Sequence, residues 1–177
     1  MVLSSDACIL QIDFYSMHFT AFQPQDSGNT QFCQDLPATG PSILVLDYLH
    51  DSLKEVPVDF RVIRNVTGQG SFVKLKHVEE IGDLAAHTVF YQPPVIQADA
   101  SLKIEYDFKE KGSYIGIVSA GHPSNDTIYT AVFPFEVGRS GFGYWPLVIL
   151  LLAGIVYFFK RRLALSRQTA PNQEKAL

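Results

Sequence analysis

The chain has 177 residues, a formal net charge of −4, a pI near 5.7 and a mean hydropathy of +0.09. The charge is divided: residues 1–141 hold nine Lys and Arg against seventeen Asp and Glu, a formal −8, whereas the stretch from Lys160 onward holds five against one, a formal +4. An acidic large part excludes nucleic acid as its partner, and two lone cysteines exclude a zinc site of the CxxC type.

From Cys8 to Phe22 the run CILQIDFYSMHFTAF mixes apolar and polar residues with strong β formers, which predicts one bent strand or two. Pro24 ends it, and QPQDSGNTQ and DLPATGP read as irregular, turn-forming stretches. Ile43–Leu49, ILVLDYL, is continuously apolar and reads as a strand covered on both faces. In VDFRVIR, Val58, Phe60 and Val62 alternate with Asp59, Arg61 and Ile63, a strand with one buried and one mostly wet face. Residues 65–85, rich in glycine and charge, read as a hairpin over VTGQGSFVKL followed by a short helical turn, and as the longest candidate for a mobile loop.

Thr88–Tyr91 reads as a short strand stopped by Pro93 and Pro94. Leu102, Ile104, Tyr106 and Phe108 alternate with Lys103, Glu105, Asp107 and Lys109, the clearest period-two pattern in the chain. Gly112 turns the chain into YIGIVS, and HPSNDT turns it again into IYTAVFPFEV. About seven strands with hardly any amphipathic helix predict an all-β domain, an antiparallel immunoglobulin-like β-sandwich over residues 1–138. Tyr114, just after a turn at the head of a strand, occupies the place of a tyrosine corner; an ordinary core tyrosine is the alternative.

After a short linker at 139–141, residues 142–160 read as one transmembrane helix. No residue from Ser140 to Phe159 is charged, and at about 1.5 Å per residue that run matches the roughly 30 Å hydrocarbon core of a bilayer. Trp145 suits an interface, Pro146 falls in the first turn, and Phe159 closes the apolar run. Lys160, Arg161 and Arg162 put the tail, 161–177, in the cytoplasm by the positive-inside rule, resting on anionic lipid. The large domain is then periplasmic or extracellular. The start, MVLSSDACILQIDFYSMHF, lacks a secretory signal, so either the true start lies upstream or the protein is tail-anchored with a cytosolic domain. In an oxidising compartment Cys8 and Cys33 form one disulfide; two buried thiols are the alternative.

Motifs for chemistry are sparse. GxSxG, HExxH, P-loop and GxGxxG patterns are missing, so no enzyme is expected. Copper is the one metal considered, because imidazole and soft sulfur together suit it. The candidate ligands are His18, Met17 and Cys33, with Cys8 or a loop histidine (His50, His77, His87 or His122) nearby; as neighbours on a strand, Met17 and His18 would point to opposite faces. Asn65-Val-Thr67 and Asn125-Asp-Thr127 are glycosylation sequons.

PVDFRVIR, FYQPP, LKIEYDFKEKGSYIGIV and YTAVFPFEVG together give a layout of strand, proline break, strand ending in G-x-Y, and final strand. This layout resembles small membrane-anchored bacterial domains of the YtkA and FixH type. The resemblance implies an immunoglobulin-like fold outside the cytoplasmic membrane, with links in some members to copper handling or to maturation of respiratory oxidases. The expected function is a non-enzymatic accessory or assembly subunit of a membrane complex, with the bilayer and a membrane protein as partners. Copper delivery and a cell-surface adhesion or receptor module are the alternatives.

Overall fold

The computed structural model describes residues 8–138 and 145–167. They fall into two units, one within 1–140 and one within 141–177.

The first unit is built of eight strands in two four-stranded antiparallel sheets. The first sheet has the order β1-β2-β3-β6, with β1 Ile9–Ile12, β2 Tyr15–Phe22, β3 Gly40–Tyr48 and β6 Ser101–Phe108. The second has the order β5-β4-β7-β8, with β4 Val58–Arg64, β5 Thr88–Val95, β7 Gly112–Gly121 and β8 Ile128–Val137. The chain crosses between sheets after β3, β5 and β6. Cys8–Phe22 thus forms two strands, folded at a two-residue turn whose Asp13 adopts φ 54°.

Between the sheets lies one core. Leu10, Met17, Phe19, Leu44, Leu46 and Phe108 from the first sheet meet Val58, Phe60, Val118, Phe133 and Phe135 from the second. Phe133 lies flat over Gly116, its register partner, and its ring packs on Phe19 at 4.7 Å between centroids. Tyr114 is buried at the start of β7, and its hydroxyl donates to the carbonyl of Glu110 at 2.7 Å, the bond of a tyrosine corner.

Two strand readings are corrected. β3 is covered on one face only: its buried residues alternate, and Ile43 and Val45 lie half-exposed beside Glu105 and Lys103. The strand buried on both faces is β7, whose Tyr114–Val118 are all buried. Pro93 and Pro94 do not stop β5. It runs on to Val95 as an edge strand, where a missing N–H is tolerated, and Pro134 sits likewise in the edge strand β8.

Residues 65–87 form no hairpin and are not a bare loop. They contain a 3-10 turn at Gly70–Phe72 and two short helices, α2 Leu75–Glu79 and α3 Leu84–His87, after α1 Pro24–Ser27 earlier in the chain. Val73 and Val78 close on Ile63, Ile115, Ile117 and Val132, with Leu75, Ile81 and Leu84 packed around them, as a second apolar cluster on the outer face of the second sheet. Asn65 anchors this connection. Its Nδ2 donates to Gly70 O and Ser113 Oγ, and its Oδ1 accepts from the N–H and hydroxyl of Thr67.

The second unit is the helix α4, Trp145–Arg167. Its large apolar side chains from Val148 to Tyr157 are between 44% and 69% exposed. Among the described residues no helix is long and apolar enough to cross a membrane. The reason is local: within α4 the uncharged run is 145–159, about 22 Å of helix, before Lys160, Arg161 and Arg162 intervene. Residues 140–144, the start of the uncharged run, lie outside the described residues.

Candidate functional site

The residues expected to hold copper are not brought together. Met17 is fully buried between the sheets, whereas His18 points out of the first sheet, as neighbouring strand residues must. Cys33 is not a free thiolate: it is bridged to Cys8, with Cα atoms 5.1 Å apart and a sequence separation of 25. The bridge ties the start of β1 to the segment where Phe32 pairs with Ala21. Among the described residues no group of three or more His, Cys, Asp or Glu side chains gathers as a metal site.

His18 instead belongs to a cross-strand row, Ile9, His18, Asp47 and Ser101, on the outer face of the first sheet. Its Nδ1 is 3.9 Å from Asp47 Oδ2 and 3.2 Å from Thr20 Oγ1, and Ser101 donates its hydroxyl proton to Asp47 Oδ1 at 2.8 Å. The order serine, carboxylate, imidazole is the wrong one for nucleophilic catalysis. There the serine must give its proton to the imidazole, and here it is held by the aspartate. His77 accepts the Lys74 N–H within α2, and His87 ends α3.

The remaining two histidines converge at one end of the sandwich. Residues 13–14, 49–57, 96–100 and 122–127 form the connections there, while the chain leaves the domain after Val137 at the other end. The Phe14 ring sits edge-on to His50, His122 and Tyr129 at centroid distances of 5.9, 5.7 and 5.4 Å. Beneath it Tyr15 donates its hydroxyl to Gly121 O at 2.9 Å. His122 Nδ1 accepts the Ser124 N–H, and the buried His50 Nδ1 meets no hydrogen-bond partner among the described residues. Phe14, Leu49 and Ile96 are between 41% and 57% exposed. The same connections hold Asp13, Asp51, Glu55, Asp99 and Asp126 against Lys54 alone, which pairs with Asp51 at 2.7 Å and holds that carboxyl below its usual range.

This end is an exposed apolar patch inside an acidic rim. Its exposed apolar residues come from three separate connections, so no linear motif announces it. The available signal is Phe14, a large aromatic in a two-residue turn.

Of the transmembrane markers, Trp145 and Pro146 open α4, and Phe159 and Lys160–Arg162 lie within it.

No family model matches the chain, and no curated protein matches it. The likeness to YtkA and FixH domains therefore has no counterpart among these comparisons. One solved structure is similar: the PmoD soluble domain from Methylocystis sp. ATCC 49242 (Rockwell), 27% identical, with a TM-score of 0.62. The match covers 76% of this chain and 100% of that one.

Proposed function

We propose that the chain is a non-enzymatic, single-pass membrane protein whose extracytoplasmic sandwich, residues 1–138, is an accessory or assembly subunit of a membrane complex. The observation that carries this reading is the acidic, apolar loop end. Exposed apolar side chains at this end, Phe14, Leu49 and Ile96, are costly in water and find their use when a partner covers them. Strand order and the Tyr114 corner support the immunoglobulin-like type. The Cys8–Cys33 bridge fits an oxidising compartment. The exposed apolar side chains of α4, followed by Lys160, Arg161 and Arg162, support a bilayer around the helix and a cytoplasmic tail. The PmoD chain is described as a soluble domain, and the match spans all of it, which favours a water-facing module beside a separate helix.

Copper delivery has little to draw on. Met17, His18 and Cys33 are apart, and His122 has already committed Nδ1 to a backbone N–H. An adhesion module glycosylated at Asn65 would have to release one of the two bonds that Nδ2 donates, to Gly70 O or to Ser113 Oγ.

The test is site-specific photocrosslinking of the full-length protein in its native membrane. A crosslinker at position 14 should give a stoichiometric adduct with one membrane protein, and one at position 45 should not. Equal adducts from both positions, or none from position 14, would overturn the reading.

A further inference from the structure

The cover on the second sheet leaves part of its outer face open. Between the segment of α2 and α3 and the start of β8 runs a groove of about 480 Å³. Its floor is a cross-strand row in which Asp59 faces Ser119 and Ser119 faces Thr130. Thr130 donates to Ser119 Oγ at 3.2 Å, and Ser119 stands in register beside Asp59, so the row ends on a carboxylate. Val78, Ile117 and Ile128 supply aliphatic surface around it.

The two charges of the floor are served unequally. Arg61 lies over the Tyr91 ring at 4.2 Å and donates to Thr88 Oγ1 at 3.1 Å. Asp59 is half buried and takes part in none of the ion pairs formed within 4 Å among the described residues. A partly desolvated carboxylate without a bonded cation is the group that gains most from a ligand able to donate charged hydrogen bonds.

We propose that this groove binds a primary ammonium carried on an aliphatic stem, with the nitrogen on Asp59 and the stem along Val78, Ile117 and Ile128. An ammonium has three donors, which the Asp59 carboxylate and the hydroxyl oxygens of Ser119 and Thr130 can accept. Of the three charged side chains that line the groove, Asp59 and Glu79 oppose an anionic ligand, and the one cation, Arg61, is engaged with Tyr91 and Thr88. A guanidinium would repeat the charge that Arg61 already places on Tyr91. The site lies wholly in the sandwich and does not depend on what the loop end contacts.

The test uses the isotope-labelled full-length protein in detergent, titrated with n-butylammonium, ethylammonium, butyrate and the peptide Ac-Gly-Lys-Gly-NH2 while amide resonances are followed. Butylammonium should give saturable shifts at Asp59, Ser119 and Thr130, and each methylene removed should cost about fourfold in affinity if buried. Butyrate should leave these amides unmoved. Asp59→Asn should weaken butylammonium at least tenfold, and Ile128→Ser, at a position 70% exposed and so harmless to folding, should weaken butylammonium more than ethylammonium. Butyrate shifting the same amides as strongly, or Asp59→Asn binding undiminished, would overturn the site. The peptide separates the two sources of such a group: matching shifts assign the stem to a lysine of a protein segment, and a silent peptide beside a binding amine assigns it to a free amine.

Discussion

The two outer faces of the sandwich are finished in opposite ways. On the first sheet most outer residues stay partly at the surface, arranged in cross-strand rows such as His18–Asp47–Ser101, and of the row Thr20–Val45–Lys103 only Thr20 is buried. On the second sheet the connection 65–87 folds back over β4, β7 and β8, and Ile63, Ile115 and Val132 become as inaccessible as the main core. A face that is only half apolar is stable in water through polar pairs. A face that is apolar in β7 has to be covered, and here the cover is a chain segment with no long helix or strand of its own.

The largest effects follow from that contrast. Ile115→Ala removes a side chain with no exposed surface from the covered face and should cost about 3 kcal/mol in chemical denaturation. Val45→Ala, at a strand centre on the bare face, should cost less than about 1 kcal/mol. Equal losses would mean that the two faces are energetically alike. Val78→Ala, on the cover itself, should cost about 2 kcal/mol and raise amide exchange across 65–87 while leaving β1, β2 and β3 protected. Exchange that rises uniformly would show that cover and sandwich open as one unit.

How far this could be read from residues depends on which face they serve. The alternation in β6, LKIEYDF, is legible because one side is wet along its whole length. ILVLDYL misleads, since Ile43 and Val45 are apolar residues on a bare face, flanked by the long side chains of Glu105 and Lys103. The cover is illegible for a different reason. Val73, Leu75, Val78, Ile81 and Leu84 recur in pieces too short to show a helical period. Tyr114 and the opposed faces of Met17 and His18 follow from local rules, so they are readable from sequence. The loop end and the Asp59 groove are each assembled from elements far apart in the chain, and only the registers bring them together.

A smaller pair of effects compares two buried phenols, one from each sheet. The Tyr114 hydroxyl is satisfied by Glu110, whereas that of Tyr48 finds no partner among the described residues, and burial, with help from Asp99, pushes its phenol up to about 12. Tyr114→Phe should therefore destabilise by about 1 kcal/mol, and Tyr48→Phe should stabilise by about 1 kcal/mol. Melting curves of the two variants with the same sign would sink this reading.

The smallest expected effect lies where cover and sheet leave their groove. Burial pushes the Asp59 carboxyl above its ordinary range, and the hydrogen bonds from Ser119 and the charge of Arg61 oppose this by less. A carboxyl raised by folding holds its proton more tightly in the folded chain. It favours the fold fully below the unfolded value near 3.8, and that contribution is lost as pH rises through the folded value. At pH 7 the ionised group therefore works against folding, modestly because it is half exposed. Asp59→Asn should melt slightly higher than the parent at pH 7, and the gap should close as pH falls below 3.8. A gap that stays constant with pH would place the effect in the hydrogen bond to Ser119 and not in the charge. A variant that melts lower at pH 7 would mean that Arg61, across the floor from Asp59, is its effective counterion, and the groove would then have no anion left to offer a ligand.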